Sequence, residues 1–121
     1  MPTTIHAGPA GITVRLGRLD RLLALRGDLV VPAEHVAEIT AVADGMAAVR
    51  GLRAPGLGVP GARKIGTWRR RGRSTLAVVR GSGPAVQILT SDGPVHRIVV
   101  SAADAPDRAA VLRAAIRTSR P

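Results

Sequence analysis

A chain of 121 residues is long enough for one domain with a single modest hydrophobic core. Its apolar fraction of 45% favours a folded protein over a disordered one, and the lack of cysteine excludes disulfides and thiolate chemistry. The net charge of +10 normally indicates a nucleic acid or an anionic membrane as partner. Because 17 of the 18 basic residues are arginine, the charge also fits the codon composition of a high-GC genome.

The first ten residues predict an N-terminal arm rather than a targeting signal. Residues 1–6 contain neither a basic segment nor an apolar one, and no run approaches the roughly 18 apolar residues of a membrane-spanning helix. We therefore expect a cytoplasmic protein whose positive charge can bring it to the inner face of the membrane. The aliphatic core, with Trp68 as its only large aromatic side chain, leaves self-association open.

Short segments with the pattern of strands follow the arm. In residues 11–16 apolar side chains alternate with Thr13 and Arg15, which is typical of a half-buried strand. Further strand-like runs lie at 20–26, 29–31, 35–43, 65–70, 74–80, 85–90 and 96–100. Of these eight runs, six or seven are expected to form strands, with a hairpin turn at Asp92-Gly93.

A segment rich in glycine and proline interrupts these runs between Met46 and Lys64. Its composition excludes a helix and predicts a long loop. The chain then closes with one helix, for which Asp104 is the expected N-cap and Pro106 lies in the first turn. The apolar face of this helix is predicted to consist of Val111, Leu112, Ala115 and Ile116.

Two segments carry a resemblance to a known family. Gly27-Asp28-Leu29-Val30-Val31-Pro32-Ala33-Glu34-His35-Val36 resembles the bacterial pleckstrin-homology-like domains. Gly51-Leu52-Arg53-Ala54-Pro55-Gly56, followed by Gly66-Thr67-Trp68-Arg69 and a terminal helix, is similar to an uncharacterised actinobacterial family of that kind. The resemblance covers roughly residues 10–118 and implies a seven-stranded barrel with a capping helix, but no activity.

The expected fold is therefore mainly β (α+β): a small antiparallel barrel or sandwich of seven strands, capped by one C-terminal helix. Residues 11–118 are assigned to this single domain, between an arm at 1–10 and a tail at 119–121.

Two phosphate-binding motifs are present only in part. Gly56–Gly61 matches the dinucleotide pattern G-x-G-x-x-G, but Pro60 interrupts it and the next acidic residue is Asp92. The P-loop pattern fails because Arg63 and Ile65 flank Lys64 where glycine and a hydroxyl residue are required. We therefore predict no nucleotide cofactor.

Metal and nucleophile patterns are equally incomplete. Glu34, His35 and Glu38 are close in sequence. On the predicted strand, however, His35 and Glu38 are an i, i+3 pair and point to opposite faces, so no metal site is predicted. Ser82 has the surroundings of a turn rather than of a nucleophile elbow. Ser91-Asp92 with His96, or a serine beside His35, leaves a small hydrolase as the least favoured alternative; we expect no enzyme and no catalytic residues.

The strongest candidate for a ligand site is a basic cluster in a stretch without acidic residues from Ala47 to Ser91. Its predicted members are Arg53, Arg63, Lys64, Arg69, Arg71 and Arg73. Strand alternation places Arg69 and Arg71 on one face, with Trp68 and Arg70 on the other. Either Trp68 is core and the arginines are solvated, or the cluster forms a cradle in which arginine forks and glycine amides hold an anion.

These observations favour a non-enzymatic binding or scaffolding module. Its partner is expected to be a protein or an anionic surface that presents phosphate or lipid headgroups. The alternative is nonspecific nucleic-acid binding through the same arginines, helped by Arg113, Arg117 and Arg120 of the helix. That alternative is weaker because one indole offers little surface for stacking bases.

Overall fold

The computed structural model describes residues 4–8, 11–17, 29–49, 52–59, 63–70, 73–81, 83–91 and 95–119, with backbone alone at 52–59, 63, 64, 67, 69, 70, 118 and 119. The strands are β1 (Thr4–Gly8), β2 (Gly11–Arg15), β3 (Leu29–Val31), β4 (Val36–Val42), β5 (Leu52–Val59), β6 (Arg63–Arg70), β7 (Arg73–Arg80), β8 (Ala85–Thr90) and β9 (Arg97–Ser101). A 3-10 helix (Ala33–His35) precedes β4, and the two α-helices are α1 (Gly45–Ala48) and α2 (Ala105–Ser119).

The strands form two sheets. One has three strands in the order β1-β2-β3, and the other has six in the order β4-β8-β9-β7-β6-β5. All neighbouring strands are antiparallel except β7 and β9, which are parallel. Over the described residues neither ladder closes on itself.

The mainly β class with one long C-terminal helix is confirmed. The seven-stranded antiparallel barrel is wrong, because the described residues already contain nine strands in two open sheets with one parallel pair. Parallel pairing joins strands that are distant in sequence, and periodicity within a strand carries no information about it.

The centre of the six-stranded sheet is apolar on both faces. In the parallel ladder Leu76 is the partner of Ile98 and Val78 of Val100, while on the other side of β9 Ile88 pairs with Ile98. All five of these side chains are buried in the main core, and on the opposite face Ala77 is the partner of Val99 and both are buried. Strands covered on both faces need such continuous apolar runs rather than simple alternation.

Two clusters of buried side chains lie on opposite faces of this sheet. The main core joins one face to the three-stranded sheet and to α2. The second core is smaller and joins the other face to α1, and its buried members are Met46, Val49, Trp68, Ala77, Val79, Ala85 and Val99. The sheet is therefore the middle layer of the molecule.

Helix α2 begins where the sequence predicts, directly after Asp104, whose carbonyl accepts a 2.8 Å hydrogen bond from the Arg108 N–H. Its buried stripe is Ala105, Ala109, Leu112 and Ile116, at the i, i+4, i+7, i+11 spacing of one helix face. The expectation that Val111 belongs to this face is wrong, since its side chain is 62% exposed.

Several strand expectations are confirmed, including the antiparallel pairing of β8 and β9, whose turn at 92–94 lies outside the described residues. The predicted strand at 20–26 also lies outside them.

The prediction of a long loop from Met46 to Lys64 is wrong, because this segment contains most of α1 and the whole of β5. Pro55 is compatible with a strand here because β5 is at the edge of the sheet and its pairing is irregular between Arg53 and Gly56.

Strand β1 comes from residues assigned to the arm. It pairs with β2 from Thr4–Arg15 to Gly8–Gly11, and Ile5 is buried. Gly11 has φ of +117°, and a Cβ at this position would collide with the backbone of Val31 and Ala33. This glycine therefore allows β2 to pass close to the end of β3.

The depth of Leu112 in the main core leads to the first prediction. Leu112→Ala should lower the free energy of unfolding by about 2–5 kcal/mol, because it leaves a cavity where the side chain was 2% exposed. The matched change Val111→Ala should alter it by less than about 0.5 kcal/mol, because that side chain is in solvent. Urea denaturation of both variants measures the difference, and equal losses would contradict the assigned buried face of α2.

Candidate functional site

Positive charge is concentrated at one edge of the six-stranded sheet, on β5, β6 and β7. These three neighbouring strands carry Arg53, Arg63, Lys64, Arg69, Arg70, Arg73 and Arg80, which we call the basic edge. None of the three contains an acidic residue, whereas β4, at the opposite edge, carries Glu38. The basic residues of the sheet itself are therefore concentrated on these three strands, while beside β4 one arginine of α2, Arg113, donates to the Ile39 carbonyl at 2.8 Å.

The strand register assigns the positions of the basic edge to two faces. Paired residues of an antiparallel ladder lie on the same face. Arg53 pairs with Trp68, Lys64 with Val79, and Arg70 with Arg73, so these positions belong to the face that carries the second core.

The remaining positions of the basic edge belong to the opposite face. Arg63 pairs with Arg80 and Arg69 with Ser74, on the side of the main core. Of the predicted cluster, Arg53, Lys64 and Arg73 therefore share one face and Arg63 and Arg69 the other, while Arg71 lies outside the described residues.

Trp68 lies within the second core and is only 5% exposed. This agrees with the interpretation of Trp68 as a core residue. A buried indole offers no platform on which a base can stack.

Helix α1, which packs in the same core as Trp68, is fixed at both ends. At its start Asp44 Oδ1 accepts hydrogen bonds from the Met46 N–H (3.0 Å) and the Ala47 N–H (3.3 Å). At its end Arg97 Nη1 donates to the Ala48 carbonyl at 3.2 Å. Sequence reasoning assigned Asp44-Gly45 only to the end of a strand, although an aspartate before a short apolar run is also an N-cap signal.

The glycines of the predicted anion loop are part of a ladder. Gly56 is the register partner of Gly66, and Gly58 pairs with Lys64. The amides that face β6 are therefore used in pairing, so the cradle of free loop amides is not formed by these residues. Because Gly56, Gly58 and Gly66 have no side chains, they leave a bare strip of the β5–β6 ladder between Arg53 and Lys64.

The serine and histidine side chains that suggested a hydrolase have structural partners. His96 Nδ1 accepts a 3.0 Å hydrogen bond from the Ser74 N–H, and the His96 N–H donates to the Ser74 carbonyl at 2.9 Å. Ser74 Oγ lies 3.4 Å from the same nitrogen but is in a residue only 7% exposed, where a substrate has little access. The Ser91 N–H and Oγ both donate to the His35 carbonyl, at 2.8 and 3.3 Å.

His35 ends the 3-10 helix, and Glu38 lies on β4 beyond an irregularity in its pairing with β8. Within the described residues no group of three or more His, Cys, Asp or Glu side chains could hold a metal ion. Ser82 and Asp92 lie outside those residues.

Comparison with known proteins does not identify a family: no protein-family model, no curated protein and no solved structure matches this chain. Among the helices of the described residues, none has the length and apolarity needed to cross a membrane. The function is therefore inferred from the charge and geometry of the chain itself.

The burial of Trp68 can be tested directly, because it is the only tryptophan. We expect the tryptophan fluorescence of the native protein to have its emission maximum at a shorter wavelength than that of the protein unfolded in urea. We also expect acrylamide to quench the native fluorescence several-fold less. Acrylamide is uncharged, so the basic edge does not change its local concentration. Equal Stern–Volmer constants for the native and unfolded protein would show that the indole is in solvent.

The bond between Ser74 and His96 gives a third prediction. His96→Ala removes the acceptor of the Ser74 N–H and should lower the free energy of unfolding by about 1–3 kcal/mol. His96→Asn is the matched control, because its amide oxygen can accept near the position of Nδ1. Urea denaturation should rank the alanine variant below the asparagine variant, and the reverse order would contradict a structural role for this acceptor.

Proposed function

We propose that this protein is a non-enzymatic binding module that holds an anionic partner against the basic edge. The observation that carries the proposal is the concentration of basic residues on three neighbouring strands, with seven basic and no acidic residues on β5, β6 and β7. Such a field attracts anions and excludes cations.

The chemistry of the basic edge favours phosphate groups. Six of its seven residues are arginine, whose planar guanidinium binds phosphate through two parallel hydrogen bonds. Four of the positions, Arg53, Lys64, Arg70 and Arg73, share the face of the second core and are spread over three strands, so a ligand that meets them must be extended. A membrane surface rich in anionic headgroups meets this condition on that face, and an acidic protein surface is the other form of the same proposal.

The expected strength follows from the number of charges. Each arginine or lysine near an anionic membrane contributes about 1 kcal/mol, and the attraction falls off within a Debye length of about 8 Å at physiological salt. A few residues of the basic edge in simultaneous contact are therefore enough for reversible binding.

The relation to pleckstrin-homology-like domains is part of this proposal. It is supported by the two sequence segments that carry the resemblance and by the C-terminal helix, whereas the two open sheets with a parallel pair differ from the barrel that the resemblance implies. It adds the expectation of a binding or scaffolding role without catalysis.

Nonspecific nucleic-acid binding is the alternative that the same charges allow. Phosphate contacts alone make such binding independent of sequence and steeply dependent on salt. The buried position of Trp68 removes the one aromatic side chain that could stack on a base. We therefore rank this function second.

The test compares two variants that lose equal charge from different places. Arg70→Gln/Arg73→Gln removes two charges that share one face of the basic edge, and Arg108→Gln/Arg117→Gln removes two from α2. Binding to phosphatidylcholine vesicles with and without phosphatidylserine, and to a short DNA duplex, is measured by co-sedimentation and anisotropy at low and physiological salt.

We expect the protein to bind the anionic vesicles, with affinity reduced roughly 30-fold in the basic-edge variant and little in the α2 variant. Equal losses in both variants would show that net charge, not the basic edge, drives binding. Binding of the duplex alone would favour the nucleic-acid alternative. Binding of neither at physiological salt would overturn the membrane form and leave an acidic protein as partner.

A further inference from the structure

A cleft of about 150 Å³ opens where β1, the end of β9 and the start of α2 meet. Its floor is apolar and consists of Ile5, Val86 and Val100, all buried. Its mouth is polar and carries His6, Asp104 and Arg108. The cleft borders the basic edge at Ser101, whose hydroxyl accepts the Arg80 N–H, but none of its lining residues belongs to that edge.

The walls of the cleft are held in place by backbone contacts. Val86 and Val100 are register partners in the β8–β9 ladder. Where the chain leaves β9, the Ala102 N–H donates to the Pro84 carbonyl at 3.1 Å, and the Ala105 N–H donates to the Ala102 carbonyl at 3.2 Å. These bonds fix the path from β9 into α2, so the cleft exists before any ligand enters it.

The mouth presents opposite charges side by side. Asp104 Oδ2 lies 3.5 Å from Arg108 Nη2, and the two side chains are 55% and 46% exposed. A guanidinium has five N–H donors and a carboxylate has about four acceptor positions, so this one contact leaves both groups able to bind further partners. The Ser101 hydroxyl, which accepts a 2.8 Å hydrogen bond from the Arg80 N–H, keeps its own hydrogen to donate.

A ligand that uses every feature of the cleft combines three groups in a small volume. It places an apolar body against the floor, an ammonium beside Asp104 and a carboxylate beside Arg108. A dry cavity of about 150 Å³ can hold a group of benzene size, which limits the apolar body to on the order of six carbons. The two charges of the ligand remain at the mouth, where water reduces the cost of desolvation.

We propose that this cleft binds a free α-amino acid with an aliphatic side chain. Its side chain packs on Ile5, Val86 and Val100, its ammonium contacts Asp104, and its carboxylate contacts Arg108. The inference is independent of the proposed function, since it uses no residue of the basic edge as a ligand contact.

The first experiment titrates the full ¹⁵N-labelled chain with leucine and follows amide chemical shifts. We expect shifts confined to residues 4–6, 86, 100–105 and 108. Glycine lacks the side chain, 4-methylpentanoate lacks the ammonium, and 3-methylbutylamine lacks the carboxylate. Each of the three should bind at least tenfold more weakly than leucine.

The second experiment repeats the leucine titration with paired variants. Asp104→Asn and Arg108→Gln remove the two charges of the mouth and should each weaken binding at least tenfold. Asp107→Asn and Arg117→Gln make the same changes on α2 outside the cleft and should leave the affinity unchanged.

Three results would overturn the proposal. The first is no shift at millimolar leucine, and the second is an analogue that binds as tightly as leucine. The third is equal affinity in the cleft variants and their controls. None of these results bears on vesicle binding, so the two proposals fail or stand separately.

Discussion

The insertion of β9 between β7 and β8 is the constraint on which the rest of the structure depends. Parallel neighbours need a long connection, and here residues 81–96, which include β8 itself, provide it within the same sheet. Hydrogen bonds fix both ends of the inserted strand, from His96 to Ser74 at its start and from Ala102 to Pro84 at its end. With neighbours on both sides and a core on each face, β9 is buried on all sides except at its ends.

This arrangement decides where charge and ligand sites can lie. The three central strands are apolar in their interiors, so charged residues are excluded from the middle of the sheet and occur at strand ends and edges. Strands β5 and β6 lie outside that centre and carry five of the seven residues of the basic edge, while the other two, Arg73 and Arg80, are the end residues of β7. The cleft above α2 has the same origin, because it opens where β9 leaves the sheet and the chain turns into the helix.

Local sequence patterns predicted the elements much better than their arrangement. Alternation located most strands, and Asp104 with Pro106 located the start of α2. Strand β5 was missed because its glycines and Pro55 are tolerated only at a sheet edge, and a sequence does not show which strand will be at the edge. The basic residues of the site were found from composition, but their division between two faces depends on the pairing of β5, β6 and β7.

The basic edge has two simpler explanations, and neither accounts for its distribution. Charges on an outer strand protect it from pairing with other chains, and Arg53 with Pro55 provides this protection on β5. Strands β6 and β7, however, are paired on both sides and need no such protection, yet they carry six of the seven basic residues. A general arginine bias of the genome fits the arginines of α2, but it does not account for the absence of basic residues from β4 and β8. The binding role proposed above accounts for the six basic residues of β6 and β7.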